Sequence, residues 1–113
     1  MIKTEIIQPI NQLLLSQSKN LKNKVAFSDH KSEITYSELD RKTSHFAKNI
    51  IESGIKKGES IALILPNSVD WIIACFGVLR AGCCIVPISF ESTQDEIGYK
   101  LFDSDTKLII TTS

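Results

Sequence analysis

The chain has 113 residues, of which 42% are hydrophobic and 23% charged, and its thirteen Lys plus Arg balance thirteen Asp plus Glu. That length makes one domain at most, and an apolar share close to the globular average of about 45–50% excludes a disordered chain. Zero formal net charge removes nucleic acid as an expected partner, and no uncharged run approaches the roughly 18 apolar residues of a membrane span. Charge is mildly uneven: residues 1–60 carry ten basic and seven acidic side chains, residues 61–113 three basic and six acidic. Without a long like-charge run, these read as solvated faces.

Ile6, Ile7, Ile10, Leu13 and Leu14 follow helical spacing, and Pro9 is tolerable only in a first turn, so a short helix is expected over 9–18. Residues 17–24 are polar and form a loop. Val25-Ala26-Phe27 reads as a short strand, Asp29-His30-Lys31 as a turn and Glu33-Ile34-Thr35 as a second strand. Thr35-Tyr36-Ser37-Glu38 fits a capping box, and Ile34 and Leu39 occupy the positions of a hydrophobic staple. The helix that follows carries one stripe, Leu39, Thr43, Phe46, Ala47, Ile50 and Ile51, and Gly54 is its natural C′ residue.

The unalternated run Ser60-Ile61-Ala62-Leu63-Ile64-Leu65 suits a strand buried on both faces of a parallel sheet. Ser68 caps a helix over 69–81, with Asp70 at its start, Arg80 at its end and Gly82 beyond. Every residue between Asp70 and Arg80 is apolar or Gly, so this helix needs cover on all sides. Cys84-Ile85-Val86-Pro87-Ile88 is a third apolar strand. Thr93-Gln94-Asp95-Glu96 opens another helix as a second capping-box match, Ser104-Asp105 ends it, and residues 107–111 form the last strand. Strand, helix, strand, helix, strand with long crossovers implies an α/β fold: a parallel sheet with flanking helices.

The residues that could carry chemistry mostly have structural work to do. Cys75, Cys83 and Cys84 match neither a disulfide framework nor a metal site, and an odd count without a signal peptide suits a reducing cytosol, so a cytoplasmic location is expected. His30 and His45 lack partners at ligand spacing and read as surface residues. Parallel sheets bind ligands beyond the carboxyl ends of their strands. Those ends are Pro66-Asn67-Ser68, Ser89-Phe90-Glu91 and Thr111-Thr112-Ser113, none of them a glycine-rich phosphate loop. Asn67 and Ser68 could hold an anion but serve better as a cap. Asp95 and Glu96 complement a helix dipole. Trp71 and Phe76 could line a pocket, with core packing the stronger reading. No catalytic or metal-ligating residue is assigned.

Three stretches add what periodicity does not. Thr35-Tyr36-Ser37-Glu38-Leu39 resembles the Thr-Tyr-x-Glu-Leu motif of the acyl-adenylate-forming (AMP-binding) enzymes. Leu79-Arg80-Ala81-Gly82 followed by Val86-Pro87-Ile88 resembles their Leu-Lys-Ala-Gly and Val-Pro-Leu/Ile motif. Gly54-Ile55-Lys56-Lys57-Gly58-Glu59, Leu65-Pro66-Asn67-Ser68 and Ser104-Asp105-Thr106-Lys107 fall between and after them in the family's order.

The resemblance implies an acyl-CoA ligase or a peptide-synthetase adenylation domain. Such an enzyme joins a carboxylic acid to ATP with Mg²⁺, releases pyrophosphate, and passes the acyl group to the thiol of coenzyme A or a carrier protein's pantetheine. The family's phosphate-binding loop ends in Pro-Lys-Gly and is expected after the Leu108 strand, beyond Ser113. On that reading residues 1–113 are the N-terminal portion of an AMP-binding domain, an incomplete part of a larger unit with no cofactor of its own. Cys83-Cys84-Ile85 and Ser89-Phe90, where peptide synthetases tend towards Gly-Ala-Tyr and Asp-Pro, lean towards a free-standing ligase. The expected partner is the remainder of the same enzyme. The alternatives are a non-catalytic module derived from that family that self-associates through apolar surface or binds a partner protein, and an unrelated small α/β ligand-binding domain.

Overall fold

The computed structural model describes residues 19, 21 and 23–112. The helix expected over 9–18 lies outside the described residues. Strands β1 (Val25–Ser28) and β2 (Glu33–Thr35) form an antiparallel hairpin, with Ser28 opposite Glu33 and a bulge between Val25 and Phe27. Helix α1 (Tyr36–Glu52) leads to β3 (Ser60–Ile64), α2 (Val69–Arg80), β4 (Cys84–Pro87), α3 (Gln94–Asp103) and β5 (Thr106–Thr111). Each predicted element from β1 onward is present, with ends within a residue or so of expectation.

The caps explain why the helices start where they do. Glu38 N–H donates to Thr35 Oγ1 at 3.2 Å while Glu38 Oε1 accepts from Thr35 N–H at 3.2 Å, a complete capping box. The staple pair is fully buried, Ile34 at 1% exposure and Leu39 at 0%. The expected second box is only half formed: Thr93 Oγ1 accepts from Glu96 N–H at 3.2 Å, but the Glu96 side chain makes no return bond. Glu96 is exposed, and water serves its carboxylate as well as a backbone N–H would. Gly82, at φ +81, ends α2 in the left-handed region, and Lys57 Cγ would sit 3.1 Å from any Cβ placed there.

The sheet runs in the order β4-β3-β5, all parallel, with Ile61 opposite Ile85 on one side and Leu108 on the other. Pro87, opposite Leu63, cannot donate to a further ladder and belongs on an edge strand, where it is found. The chain steps from β3 to β4 through α2 and then back across β3 to β5 through α3. Crossovers between parallel strands are right-handed as a rule, and under that rule the reversal puts α2 and α3 on opposite faces.

On the α2 face, Ile61, Leu63, Ala74 and Val78 join Ala47 and Ile50 of α1 in the main core. A second cluster seats the hairpin against α2: Ile34, Leu39 and Val69, with Ile72, Ile73 and Phe76 packed on it. The sheet, α1 and the hairpin cover the all-apolar helix only in part: Val69, Ala74, Gly77 and Val78 are buried, Ile72, Ile73, Cys75 and Phe76 stay half-buried, and Leu79 is exposed, short of the cover expected on all sides. Phe27 and Phe76 close the hairpin contact with ring centroids 6.2 Å apart at 54°.

Candidate functional site at the carboxyl rim

The switch in crossover direction has a chemical consequence. After β3 the chain turns towards one face and after β4 towards the other, so the loops separate and leave a crevice at the strands' carboxyl ends. A cavity of about 530 Å³ occupies this place, between Leu65, Pro66 and Asn67 after β3 and Ile88, Ser89, Phe90 and Glu91 after β4. Trp71, in the first turn of α2, is its wall. A second cavity of about 340 Å³ lies on the other side of the same residues, bounded by Phe27, Ser28 and Asp29 of the hairpin and by Asn67, Ser68 and Trp71. Both volumes suit small ligands or short peptide segments.

Asp29 joins the hairpin to α2. Its Oδ2 accepts from Val69 N–H at 2.8 Å, and its Oδ1 accepts from the N–H groups of Lys31 and Ser32, both at 2.8 Å. These donors, Val69 first, hold the Asp29 pKa down at about 2. Ser68 Oγ accepts from Trp71 N–H at 3.1 Å and donates to Pro66 O at 3.0 Å, so its hydroxyl is spent on capping, as its position suggested.

Below the rim, a second charged contact fixes α1 to α2. Arg80 Nη1 donates to Asp40 Oδ1 at 2.8 Å, to Asp40 O at 3.0 Å and to Thr43 Oγ1 at 3.1 Å. Thr43, fully buried, donates in turn to Leu39 O at 2.7 Å. The cation of the Leu-Arg-Ala-Gly stretch therefore ties the second resemblance motif to the helix opened by the first.

Other sequence candidates fall elsewhere. Burial pushes the thiols of Cys75 and Cys83 up, which keeps them protonated, and Cys83 Sγ faces Lys56 O at 3.6 Å. Cys84 is exposed, as are His30, His45, Asp95 and Glu96, and none of them lines the rim. Phe76 and Trp71 are both half-buried and packed against the core, and Trp71 also lines both cavities. Phe90 and Glu91 lie at the rim, where the Ser89-Phe90-Glu91 strand end was expected, whereas sequence reasoning placed Asp29 only in a turn. Asp29 had a usable signal, since an Asp opening a short turn is poised to accept nearby N–H groups.

The rim does not fit a nucleotide triphosphate. The ionisable side chains that line it are Asp29 and Glu91, both acids, and neither cavity has a Lys or Arg in its lining. Among the described residues no three His, Cys, Asp or Glu side chains converge to hold a metal.

Comparison with known proteins defines the setting. Residues 14–113 match the family model for AMP-binding enzymes. The chain is 33% identical over 102 residues to tyrocidine synthase 1 of Brevibacillus parabrevis, which covers 90% of this chain but 9% of that protein. Two solved structures share the fold. The N-terminal domain of FACL13 from Mycobacterium tuberculosis has a TM-score of 0.86 at 25% identity, over 93% of this chain and 27% of that one. The NpsA N-terminal subdomain of Klebsiella oxytoca, in complex with 3-hydroxyanthranilyl-AMSN, gives a TM-score of 0.87 at 21% identity, over 95% and 28%. This chain thus spans a small fraction of the proteins it matches. On the family match over residues 14–113, the chain belongs to the AMP-binding enzyme family.

Proposed function

We propose that the chain is the N-terminal part of an ATP-dependent carboxylate-activating ligase, which forms an acyl-adenylate and passes the acyl group to a pantetheine thiol. The observation that carries this reading is the continuous family match through residues 14–113. ATP and Mg²⁺ belong to the complete enzyme, and a cytoplasmic location goes with this reading. No helix among the described residues is long and apolar enough to cross a membrane.

The same proposal makes these 113 residues a scaffold, inactive alone. Asp29 and Glu91 at the rim repel a triphosphate, whose transfer chemistry needs cations and N–H donors aimed at the phosphates. Tyr99 and Phe102 of α3 are the most exposed of the scaffold's large apolar side chains, and the remainder of the domain would cover them.

The test is carboxylate-dependent ATP–pyrophosphate exchange, with a panel of amino acids and aryl and alkyl acids. The isolated chain is expected to give none, and exchange is expected when it replaces the matching segment of tyrocidine synthase 1. Robust exchange by the 113 residues alone would overturn the scaffold reading. Self-association through Tyr99 and Phe102 is the competing reading, and a concentration-independent monomer by sedimentation would remove it.

A further inference from the structure

β5 is the longest strand of its sheet, six residues against five in β3 and four in β4, and among the described strands it has a neighbour on one side only. Edge strands are usually kept short or charged, because their free N–H and C=O groups accept any extended chain. β5 carries one charge, Lys107, ahead of Leu108, Ile109 and Ile110. These three alternate across the sheet: Leu108 and Ile110 are half-buried against the main core, and Ile109 is 46% exposed on the opposite face. Apolar side chains on both faces are the pattern of a strand inside a parallel sheet. With a neighbour on each side, β3 shows what that pattern gives, since Ile61, Ala62 and Leu63 have no exposure at all.

Both flanks of β5 have room for more protein. On one, a cavity of about 220 Å³ lies between Phe46, Asn49 and Ile50 of α1 and Leu108 and Ile110. On the other, a right-handed crossover continuing outward from β5, in the direction of the step through α3, lays its helix on the face where Ile109 is open. An unpaired backbone edge selects an extended chain, and apolar surface on both flanks selects one that is apolar on both its faces. This chain spans 27% and 28% of the two related structures. A strand tethered in the same enzyme meets the edge at an effective concentration of about millimolar, above what a free second copy reaches.

We propose that β5 is an interior strand of the complete domain, and that a further strand of the same enzyme, apolar on both its faces, pairs in parallel along its free edge. This rests on the enzyme reading and adds to it the place where the remainder joins.

Deuterium uptake read by mass spectrometry tests it, on the 113-residue chain and on the chimera in which it replaces the matching segment of tyrocidine synthase 1. Alternate residues of β5 offer their N–H groups away from β3. Those groups are expected to take up deuterium freely in the isolated chain and about tenfold more slowly in the chimera, while β3, protected in both, verifies that each is folded. Ile109→Lys is expected to return β5 of the chimera to fast uptake and to leave the isolated chain unchanged. A chimera that performs ATP–pyrophosphate exchange with β5 still unprotected would overturn the added strand and leave the enzyme reading in place. A folded chimera without ATP–pyrophosphate exchange would remove the enzyme reading, and this inference with it. Protection of β5 that rises with concentration of the isolated chain would assign the edge to a second copy and overturn the proposed occupant.

Discussion

The two faces of the sheet are finished to different degrees. On one face α1 and α2 interlock. Gly77 lets the helices approach so closely that a Cβ there would lie 2.7 Å from Phe46 Cδ1, and the Arg80–Asp40 pair closes one end of the contact. On the other face lies α3, ten residues without one fully buried side chain, with Tyr99 70% and Phe102 89% exposed and Ile109 of β5 half uncovered beside it. The difference teaches where this fold keeps its stability. The α1–α2 face holds the chain together, and the α3 face is apolar surface still open to a contact.

Substitutions can break this contrast. Leu63→Ala, at a side chain with no exposure on the α1–α2 face, is expected to cost about 3 kcal/mol in denaturant unfolding. Gly77→Ala is expected to cost about 1–2 kcal/mol, because overpacking against Phe46 outweighs the better helix propensity of Ala. Arg80→Ala leaves Asp40 and Thr43 without their shared donor and is expected to cost about 1 kcal/mol.

Acid sharpens the picture at the hairpin. The Asp29 pKa is lowered to about 2 from its ordinary 3.8, so its contribution is present above about pH 4 and is lost as pH falls towards 2. Thermal unfolding of the wild type should therefore weaken across that window, and Asp29→Asn should show a flatter dependence there. Phe102→Ser, on the open face, should change stability by less than about 0.5 kcal/mol. A loss comparable to that of Leu63→Ala would mean that the α3 face is as well packed as the other, and the contrast between the faces would fall.

Local signals were legible in the sequence because their causes are local. The box at Thr35 and Glu38, the staple of Ile34 and Leu39 and the C′ glycines each depend on residues a few positions apart, and each forms. The unalternated apolar run at Ile61–Leu65 likewise marked the central strand. The half-formed box at Thr93 shows the limit, since the same letters need a reason to leave water.

The rim was harder to read. Asp29 reaches Val69 and Arg80 reaches Asp40 across forty positions each, and no periodicity points to either contact. Which side chains share a groove depends on the reversal of crossover direction at β3, so Trp71 could be placed on a helix but not between two cavities. Family resemblance came through because its motifs are those same caps and strand ends.

Pro87 has one consequence for how this protein can go wrong. A sheet with two free edges can recruit stray strands from either side, but the ring of Pro87 spoils β4 as a template. Within the three-stranded sheet, misassembly by strand addition is thereby directional and would proceed from β5. Lys107 is the only charged residue on that strand, ahead of Leu108, Ile109 and Ile110, and it serves as a lone gatekeeper against aggregation.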